Sequence, residues 1–395
     1  MATRAVVPRT RRAWVLKAGS VKSLRLKEKP LPTERCGHGE VLVRVKCIGL
    51  NFADVFSVLG LYSATPKGEF IPGLEFSGIV EQVGATSECG RATTVEFACD
   101  EARMRAEREA SGFKPGDRVA GVVRFGAYAT TVMAPAHQLR HVPKSWSLAQ
   151  GAAFNVQALT THYGLSELGN VKPGQFVLVH SCAGGCGLLA LAILRAKGAK
   201  AVGTVGSASK VDVVLERFKG YMTRDLVVVR SSDPKEYSEQ LRRSLRTLGA
   251  DGFDIALDAV AGKYFQPTFD ALGPGGRHVV YGAADMTPQG DTVWTLLNPM
   301  VGLRLAWKYL RRPRVDPLEL PAQNKSVMGF NLIWMFSKVS QLISLLDELY
   351  EMDLEPPLVG QTFTFEDLPQ ALRLFQSGQT TGKVVIRVGG GDDGE

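Results

Sequence analysis

The sequence predicts an α/β protein in which a mostly antiparallel β domain is joined to a doubly wound parallel-sheet domain, and three observations carry that expectation. The first is the stretch 177–205, VLVHSCAGGCGLLALAILRAKGAKAVGTV, which reads as strand, glycine turn, helix and strand. The second is the alternation of strand and helix patterns over 226–281, which implies a parallel sheet covered by helices on both faces. The third is the series of short alternating or β-branched runs at 41–48, 78–83, 118–123 and 127–133, separated by turn residues such as Lys114-Pro115-Gly116-Asp117.

In the central stretch, the apolar run Phe176–Val179 suits a strand buried on both faces, and the Leu- and Ala-rich run 188–197 suits a helix packed on a sheet. Between them Gly184, Gly185 and Gly187 remove side chains where a backbone must bend sharply, approach a phosphate and start a helix close to its strand. Residues 199–205 read as the next strand. The unit has the length of a dinucleotide-binding βαβ, and the free amides at the helix start would face a pyrophosphate. Cys182 stands where the first glycine of GxGxxG would fall. It is therefore the placement of the glycines that points to a nucleotide cofactor, an ordinary tight turn being the alternative.

Taken in order, residues 1–11 form a basic tail with Arg4, Arg9 and Arg11 and no acid, and an organelle-targeting remnant stays open as an alternative. The β runs follow, interrupted at 87–111 by a segment dense in charges and helix formers (VEFACDEARMRAEREA). It reads as an exposed helical insertion, either solvated or partner-binding. A helical pattern over 147–168 leads through Val171-Lys172-Pro173-Gly174 into the first buried strand. Beyond the central unit come a strand at 226–229, a helix at 235–248, a strand at 253–257, a helix at 263–272 and a strand at 277–281. A further strand at 328–332, if at the sheet edge, is where two subunits would join as a homodimer. Between these last two strands, 295–314 places Arg304, Lys308 and Arg312 on one side of a helix and Leu303, Trp307 and Leu310 nearer the other. A lid over the cleft is the commoner use of such a helix, and an anionic membrane surface the alternative. Segments at 342–349, 359–365, 368–376 and 382–388 read as helix, strand, helix and strand returning to the first domain, and 389–395 as a disordered tail.

With 395 residues, 45% of them hydrophobic and 22% charged, the chain has the size and composition of an ordinary globular protein of two domains around a cleft. No apolar run reaches membrane-spanning length. A net charge of +8 permits attraction to phosphates, but the basic residues are spread along the chain without a nucleic-acid-binding motif, so no nucleic acid partner is expected. The six cysteines include no CxxC pair and fit neither a disulfide scaffold nor a structural zinc site, which points to reduced thiols in an intracellular compartment.

Together the segments GLNFAD from Gly49, GLY from Gly60, IPGLEFSGIV from Ile71, KPGDRV from Lys114, VKPGQFVLVHSCAGGCG from Val171 and TGKVVI from Thr381 resemble the medium-chain dehydrogenase/reductase superfamily, on its zinc-less quinone oxidoreductase branch. YGAADM from Tyr281 and NKSVMGFNL from Asn324 look closest to the subgroup of synaptic vesicle membrane protein (vesicle amine transport protein) homologues. The resemblance implies a GroES-like catalytic domain over 12–157 and 340–388, with 87–111 inserted, and a Rossmann cofactor domain over 158–339.

Zinc enzymes of this superfamily carry a cysteine near the position of Asn51 and a histidine where this chain has Leu74, so no metal is expected. Without a Lewis acid the acceptor must be intrinsically electrophilic. The implied reaction is hydride transfer from NADPH to a quinone or α,β-unsaturated carbonyl. By resemblance Asn51 and Tyr62 are the catalytic candidates, lining the substrate side of the cleft, while Phe56 replaces a second tyrosine of bacterial quinone reductases.

The second strand is followed by Ser207 and Lys210 rather than an acid, and Arg230 follows the next strand; these favour NADPH over NADH. By resemblance Thr161 matches a threonine near the nicotinamide amide, and Tyr281, Gly282 and Phe330 match positions that close over the cofactor, with Gly184, Gly185 and Gly187 beneath its phosphates. His162 and His180 read as structural. The expected location is cytoplasmic, with peripheral membrane association as an alternative. The competing function is an NADPH-binding protein of a membrane surface or a partner, with little turnover.

Overall fold

The computed structural model describes residues 9–31, 36–84, 105, 108–287, 307, 310 and 312–389. Among them, a parallel sheet runs in the spatial order Val227–Val229, Lys200–Val205, Phe176–Val179, Phe253–Asp258, Leu272–Val280, Ser326–Gly329. Every pairing in it is parallel. The strand order reverses between Phe176–Val179 and Phe253–Asp258, and at such a switch point the loops leaving two adjacent strands diverge and open a crevice. The central strands are apolar because both faces are covered: Val177, Leu178, Val179, Ile255, Ala256 and Leu257 are all fully buried. Ser326–Gly329 forms the outer edge.

The helices follow their amphipathic patterns. Pro234–Leu248 is capped by Asp233, which accepts from the Lys235 amide at 3.0 Å, and ends at Gly249 in the left-handed region. It buries Tyr237, Leu241, Ser244 and Leu245 and leaves its charges in water. Gly185–Ala196 is buried continuously from Gly187 to Leu194, as a helix wedged between sheet and neighbouring elements must be.

A second sheet has the order Val359–Thr364, Lys383–Arg387, Glu40–Gly49, Glu75–Val83, Arg118–Val122, Leu139–His141, with Thr131–Pro135 also paired to Glu40–Gly49. Apart from the parallel pair Val359–Thr364 and Lys383–Arg387, its ladders are antiparallel. The end of the chain thus crosses back from the parallel sheet to complete the antiparallel one. Trp14 Nε1 donates to Phe365 O at 2.8 Å and ties the first strand, Thr10–Lys17, to this returning segment.

Several boundaries differ from the sequence reading. The strand expected at 127–133 lies at Thr131–Pro135, because the Ala127 and Tyr128 amides are used to close a loop onto Gly73 O and Pro72 O. The helix expected over 147–168 is two, Leu148–Ala152 and Asn155–His162, continued by a π turn at Tyr163–Leu168. The helix at 263–272 is a short turn and Phe265–Asp270, and the next strand begins at Leu272. Most of the 87–111 insertion lies outside the described residues. Its final residues are helical, and Ala110 is fully buried in the β-domain core, so that end is not a solvated excursion. The basic helix over 295–314 also lies outside the described residues, except for exposed Trp307 and Leu310 and residues 312–314.

Candidate active site

Between the two sheets lies a cleft of about 390 Å³, and the turn leaving Phe176–Val179 forms one wall. That turn is tight enough to require its glycines. A Cβ on Gly187 would stand 2.4 Å from Cys182 Cα, and one on Gly185 would stand 2.1 Å from the Gln157 carboxamide. Ser181 takes a left-handed φ of 53° to enter the turn, and the Gly184 amide closes it on Ser181 O at 2.9 Å. Gly184, Gly185 and Gly187 all line the cleft, with Ser181 and Ala259 supplied by the two strands that flank the switch point.

At one end stand Lys210 and Arg230. Arg230 Nη1 donates to Thr204 Oγ1 at 2.9 Å and its guanidinium stacks 5.5 Å from the Tyr264 ring, while its buried Nε has no hydrogen-bond partner among the described residues. Lys210 Nζ donates to Gly378 O at 2.5 Å and Thr380 O at 2.8 Å. Burial, with Arg230 nearby, lowers its pKa. The sequence places Lys210 toward a phosphate; here its ammonium is engaged with the strap that leads into Lys383–Arg387. Ser207 stands beside the lining residue Gly206 without lining the cleft itself, its hydroxyl paired with Ser209 Oγ at 2.9 Å.

Tyr281, Gly282 and Phe330 line the middle, with the Tyr281 and Phe330 rings stacked at 6.1 Å. The half-buried Cys186 thiol, also in the cleft lining, interacts with the Tyr281 hydroxyl, and desolvation pushes it up to about 11. Thr161 is fully buried and turns its hydroxyl into its own helix, donating to Gln157 O at 2.8 Å; its neighbour Thr160 lines the cleft, its hydroxyl donating to Val156 O at 2.7 Å.

At the other end the walls are apolar: Phe52, Leu74, Val122, Leu159, Ile333 and Phe336. Tyr62 stands among them, and its hydroxyl donates to Asn331 Oδ1 at 2.7 Å. Burial, partly offset by that hydrogen bond, pushes Tyr62 up to about 12. Asn51 also borders the cleft, but its polar atoms turn into the protein. Nδ2 donates to Glu75 Oε1 at 2.8 Å and Oδ1 accepts from Lys383 Nζ at 2.8 Å. The Lys383 ammonium also donates to Glu75 Oε1, both side chains being completely buried. Removing either charge alone would strand the other, at a cost of about 3–5 kcal/mol. Asn51 thus lines the cleft, as expected of it, with its polar atoms held in a floor. Beneath it Asp54, whose Oδ2 accepts from the Asn51 amide at 2.8 Å, is pushed up to about 7 by burial.

His180 and His278 are fully buried on either side of Asp258, with His180 Nδ1 2.7 Å from Oδ1 and His278 Nε2 2.9 Å from Oδ2. Although burial pushes Asp258 upward, the facing histidines hold it well below the usual carboxylate range. Its Oδ1 accepts from the amides of Val260 and Ala261 at 2.7 and 2.9 Å, so it shapes the loop after Ala259. His162 is buried and paired with Glu348 and Ser166, away from the cleft lining.

The two halves match known families separately. Residues 37–144 match the alcohol dehydrogenase GroES-like domain, and residues 227–386 match a zinc-binding dehydrogenase domain. The chain belongs to the medium-chain dehydrogenase/reductase family, on its quinone oxidoreductase branch. Among relatives of this chain, the synaptic vesicle membrane protein VAT-1 homolog of Danio rerio is 28% identical over 352 residues, 88% of this chain and 64% of that protein. The chain thus spans just under two thirds of that relative. Among solved structures, a mycobacterial protein in complex with NADPH superposes with a TM-score of 0.74 at 25% identity, covering 95% of this chain and 99% of that one. The quinone oxidoreductase of Thermus thermophilus, also solved with NADPH, gives 0.67 at 26%, with 95% and 99% covered. Although one matching domain is described as zinc-binding, among the described residues of this chain no group of three His, Cys, Asp or Glu could hold a metal ion.

Glu75, Lys383, Gln157, Asn331, Asp258 and His278 were not singled out by the sequence. A signal existed for two of them. Glu75 follows Gly73-Leu74 at a strand start, and Lys383 opens the apolar run Val384, Val385, Ile386, and an ionisable residue beside such runs needs a buried partner.

Proposed function

We propose that this chain is a zinc-independent, NADPH-dependent reductase of quinones or α,β-unsaturated carbonyls. The observation that carries the reading is the division of one cleft into a glycine turn with two cations at one end and an apolar chamber with the Tyr62–Asn331 pair at the other. The residues fit the cofactor. The glycines of the turn, at the start of the helix Gly185–Ala196, line the cleft together with Lys210 and Arg230, so helix-start amides and two cations border the same space, as an anionic cofactor requires. Gly184, Gly185 and Gly187 would hold the pyrophosphate, Lys210 and Arg230 the 2′-phosphate, and Tyr281, Gly282 and Phe330 the nicotinamide half.

Bound there, NADPH supplies a hydride to an electron-poor carbon. The chain's own contribution is placement and a dry, polarised chamber. Phe52, Leu74, Val122 and Ile333 exclude water around the acceptor's ring or chain. Tyr62, protonated across the neutral range, donates its hydroxyl proton to the acceptor oxygen as negative charge grows there, exchanging Asn331 Oδ1 for the substrate. A quinone or enone spreads that charge through its own π system, so a metal is not needed to activate it. The Thermus thermophilus neighbour is a quinone oxidoreductase, which supports the same class of acceptor.

A second reading, an NADPH-binding protein of an anionic membrane surface or a partner with little turnover, draws on the exposed Trp307 and Leu310. No helix among the described residues is long and apolar enough to cross a membrane. The separating experiment is anaerobic NADPH oxidation across ortho-quinones, para-quinones and enones, run beside flotation with anionic liposomes. Saturating, acceptor-dependent oxidation supports the reductase. Binding of NADPH without oxidation by any acceptor, together with flotation, supports the second reading.

A further inference from the structure

We infer that Lys383 is a positioning residue for hydride transfer, its buried ammonium fixing the floor of the cleft on which the reacting groups meet; the inference rests on the reductase reading above. An ammonium has three N–H bonds, and Lys383 has three acceptors around it. Two are Asn51 Oδ1 and Glu75 Oε1. The third is Gln157: with its carboxamide turned so that its nitrogen donates to Ala153 O at 3.3 Å, its oxygen accepts from Lys383 Nζ at 3.2 Å. Each acceptor belongs to a different element. Asn51 precedes the helix Phe52–Leu59, Glu75 opens the strand Glu75–Val83, and Gln157 lies in the first turn of Asn155–His162.

The network reaches both sides of the chemistry. Glu75 Oε2 accepts from the Val156 amide at 3.0 Å, so the carboxylate also pins the start of the helix that carries Gln157. The Gln157 carboxamide lies against Gly185, where a Cβ would stand 2.1 Å from it, and so sets the height of the glycine turn. On the substrate side the network fixes Asn51, next to Phe52 in the chamber wall. Lys383 itself is anchored by its strand and by the preceding Gly382, whose amide donates to Ala183 O at 2.8 Å beside the same turn. One cation therefore sets the distance between the cofactor turn and the substrate wall. Hydride transfer is sensitive to that distance, since a misplacement of about 1 Å can cost about a hundredfold in rate. An arginine is too large and planar for this tripod of acceptors.

The test separates positioning from stability by removing one charge and then both. Lys383→Met, Lys383→Arg, Glu75→Gln and the double variant Lys383→Met/Glu75→Gln are compared for melting temperature, NADPH affinity by fluorescence titration, kcat with saturating quinone, and the primary isotope effect with 4-deuterated NADPH. Each single charge removal lowers the melting temperature because it strands a buried charge. In the double variant the melting temperature recovers toward wild type, NADPH affinity stays within about threefold, and kcat remains down by about tenfold or more with an isotope effect that rises as chemistry becomes limiting. Lys383→Arg keeps the charge and still loses kcat. If the double variant recovers kcat to within about twofold of wild type along with its stability, Lys383 serves the fold alone and the inference is overturned. A wild-type protein that oxidises no NADPH removes the reductase reading and this inference with it, an outcome distinct from recovery in the double variant.

Discussion

Tyr62 donates its hydroxyl to Asn331 Oδ1 at 2.7 Å across 269 positions of sequence, and this bond joins the loop after Phe52–Leu59 to the segment after the edge strand Ser326–Gly329. It is the polar point where the two sheets' loops meet over an apolar chamber. A carbonyl oxygen entering that chamber competes for the same proton.

The first prediction concerns that proton. Tyr62→Phe keeps the ring and its packing but leaves the acceptor oxygen without its donor. kcat/KM falls by about ten- to a hundredfold, ~1.4–2.7 kcal/mol of transition-state stabilisation, while NADPH affinity is unchanged. Because Tyr62 is pushed up to about 12, the wild-type rate shows no inflection from this group between pH 6 and 9, which steady-state pH profiles check. Loss of NADPH affinity in place of kcat/KM would instead put Tyr62 on the cofactor side.

Lys210 has two claims on it, the strap carbonyls and the 2′-phosphate. Lys210→Ala raises the Kd for NADPH by about tenfold through loss of a charge-assisted contact. NADH lacks the phosphate, so any change in its affinity reports the bonds to Gly378 O and Thr380 O alone. Fluorescence titration with both nucleotides gives the ratio. An unchanged ratio removes Lys210 from cofactor selection and leaves it a strap anchor.

Asp54 predicts a pH dependence of stability. Its folded-state pKa of about 7 lies above the ordinary carboxylate value, because burial disfavours its charge. The folded protein therefore holds this proton more tightly than the unfolded chain does. Its contribution is fully present below the ordinary value of about 4 and is lost as pH rises toward 7. Asp54→Asn keeps an oxygen for the Asn51 amide and cannot ionise, so its melting temperature relative to wild type climbs between pH 4.5 and 7.5 and then levels. A difference independent of pH over that range contradicts the assignment.

Metal independence is checked by composition and by chelation. Protein purified without added zinc contains well under one zinc per chain by elemental analysis, and dialysis against a strong chelator leaves NADPH oxidation intact. Stoichiometric zinc whose removal abolishes activity would overturn the zinc-free chemistry.

The parallel sheet was legible because its signals are local. A buried strand such as Phe176–Val179 is an unbroken apolar run, and its glycines must be glycines where Gln157 and Cys182 approach. The return of the chain to the antiparallel sheet could be read from Leu368–Gln376 and the strand after it for the same reason. What could not be read is the partner of each polar side chain. Thr160 and Thr161 are adjacent on one helix, and only its rotation against the sheet decides which of them meets the cleft. Asn51 and Lys210 were singled out as chemistry-bearing residues. Their hydrogen-bond partners, Glu75 and Lys383 for Asn51 and the carbonyls of Gly378 and Thr380 for Lys210, lie on distant segments that only packing brings together.

The most direct test of the central claim follows the hydride itself. NADPH deuterated at the transferable C4 position is mixed anaerobically with the protein and an enone, and the product is examined by mass spectrometry and NMR. The account predicts one deuterium per product, on the β carbon, appearing at the rate at which NADPH is consumed and slowed in Tyr62→Phe. Bound NADPH that is never consumed, or a reduced product that carries no deuterium, would contradict it.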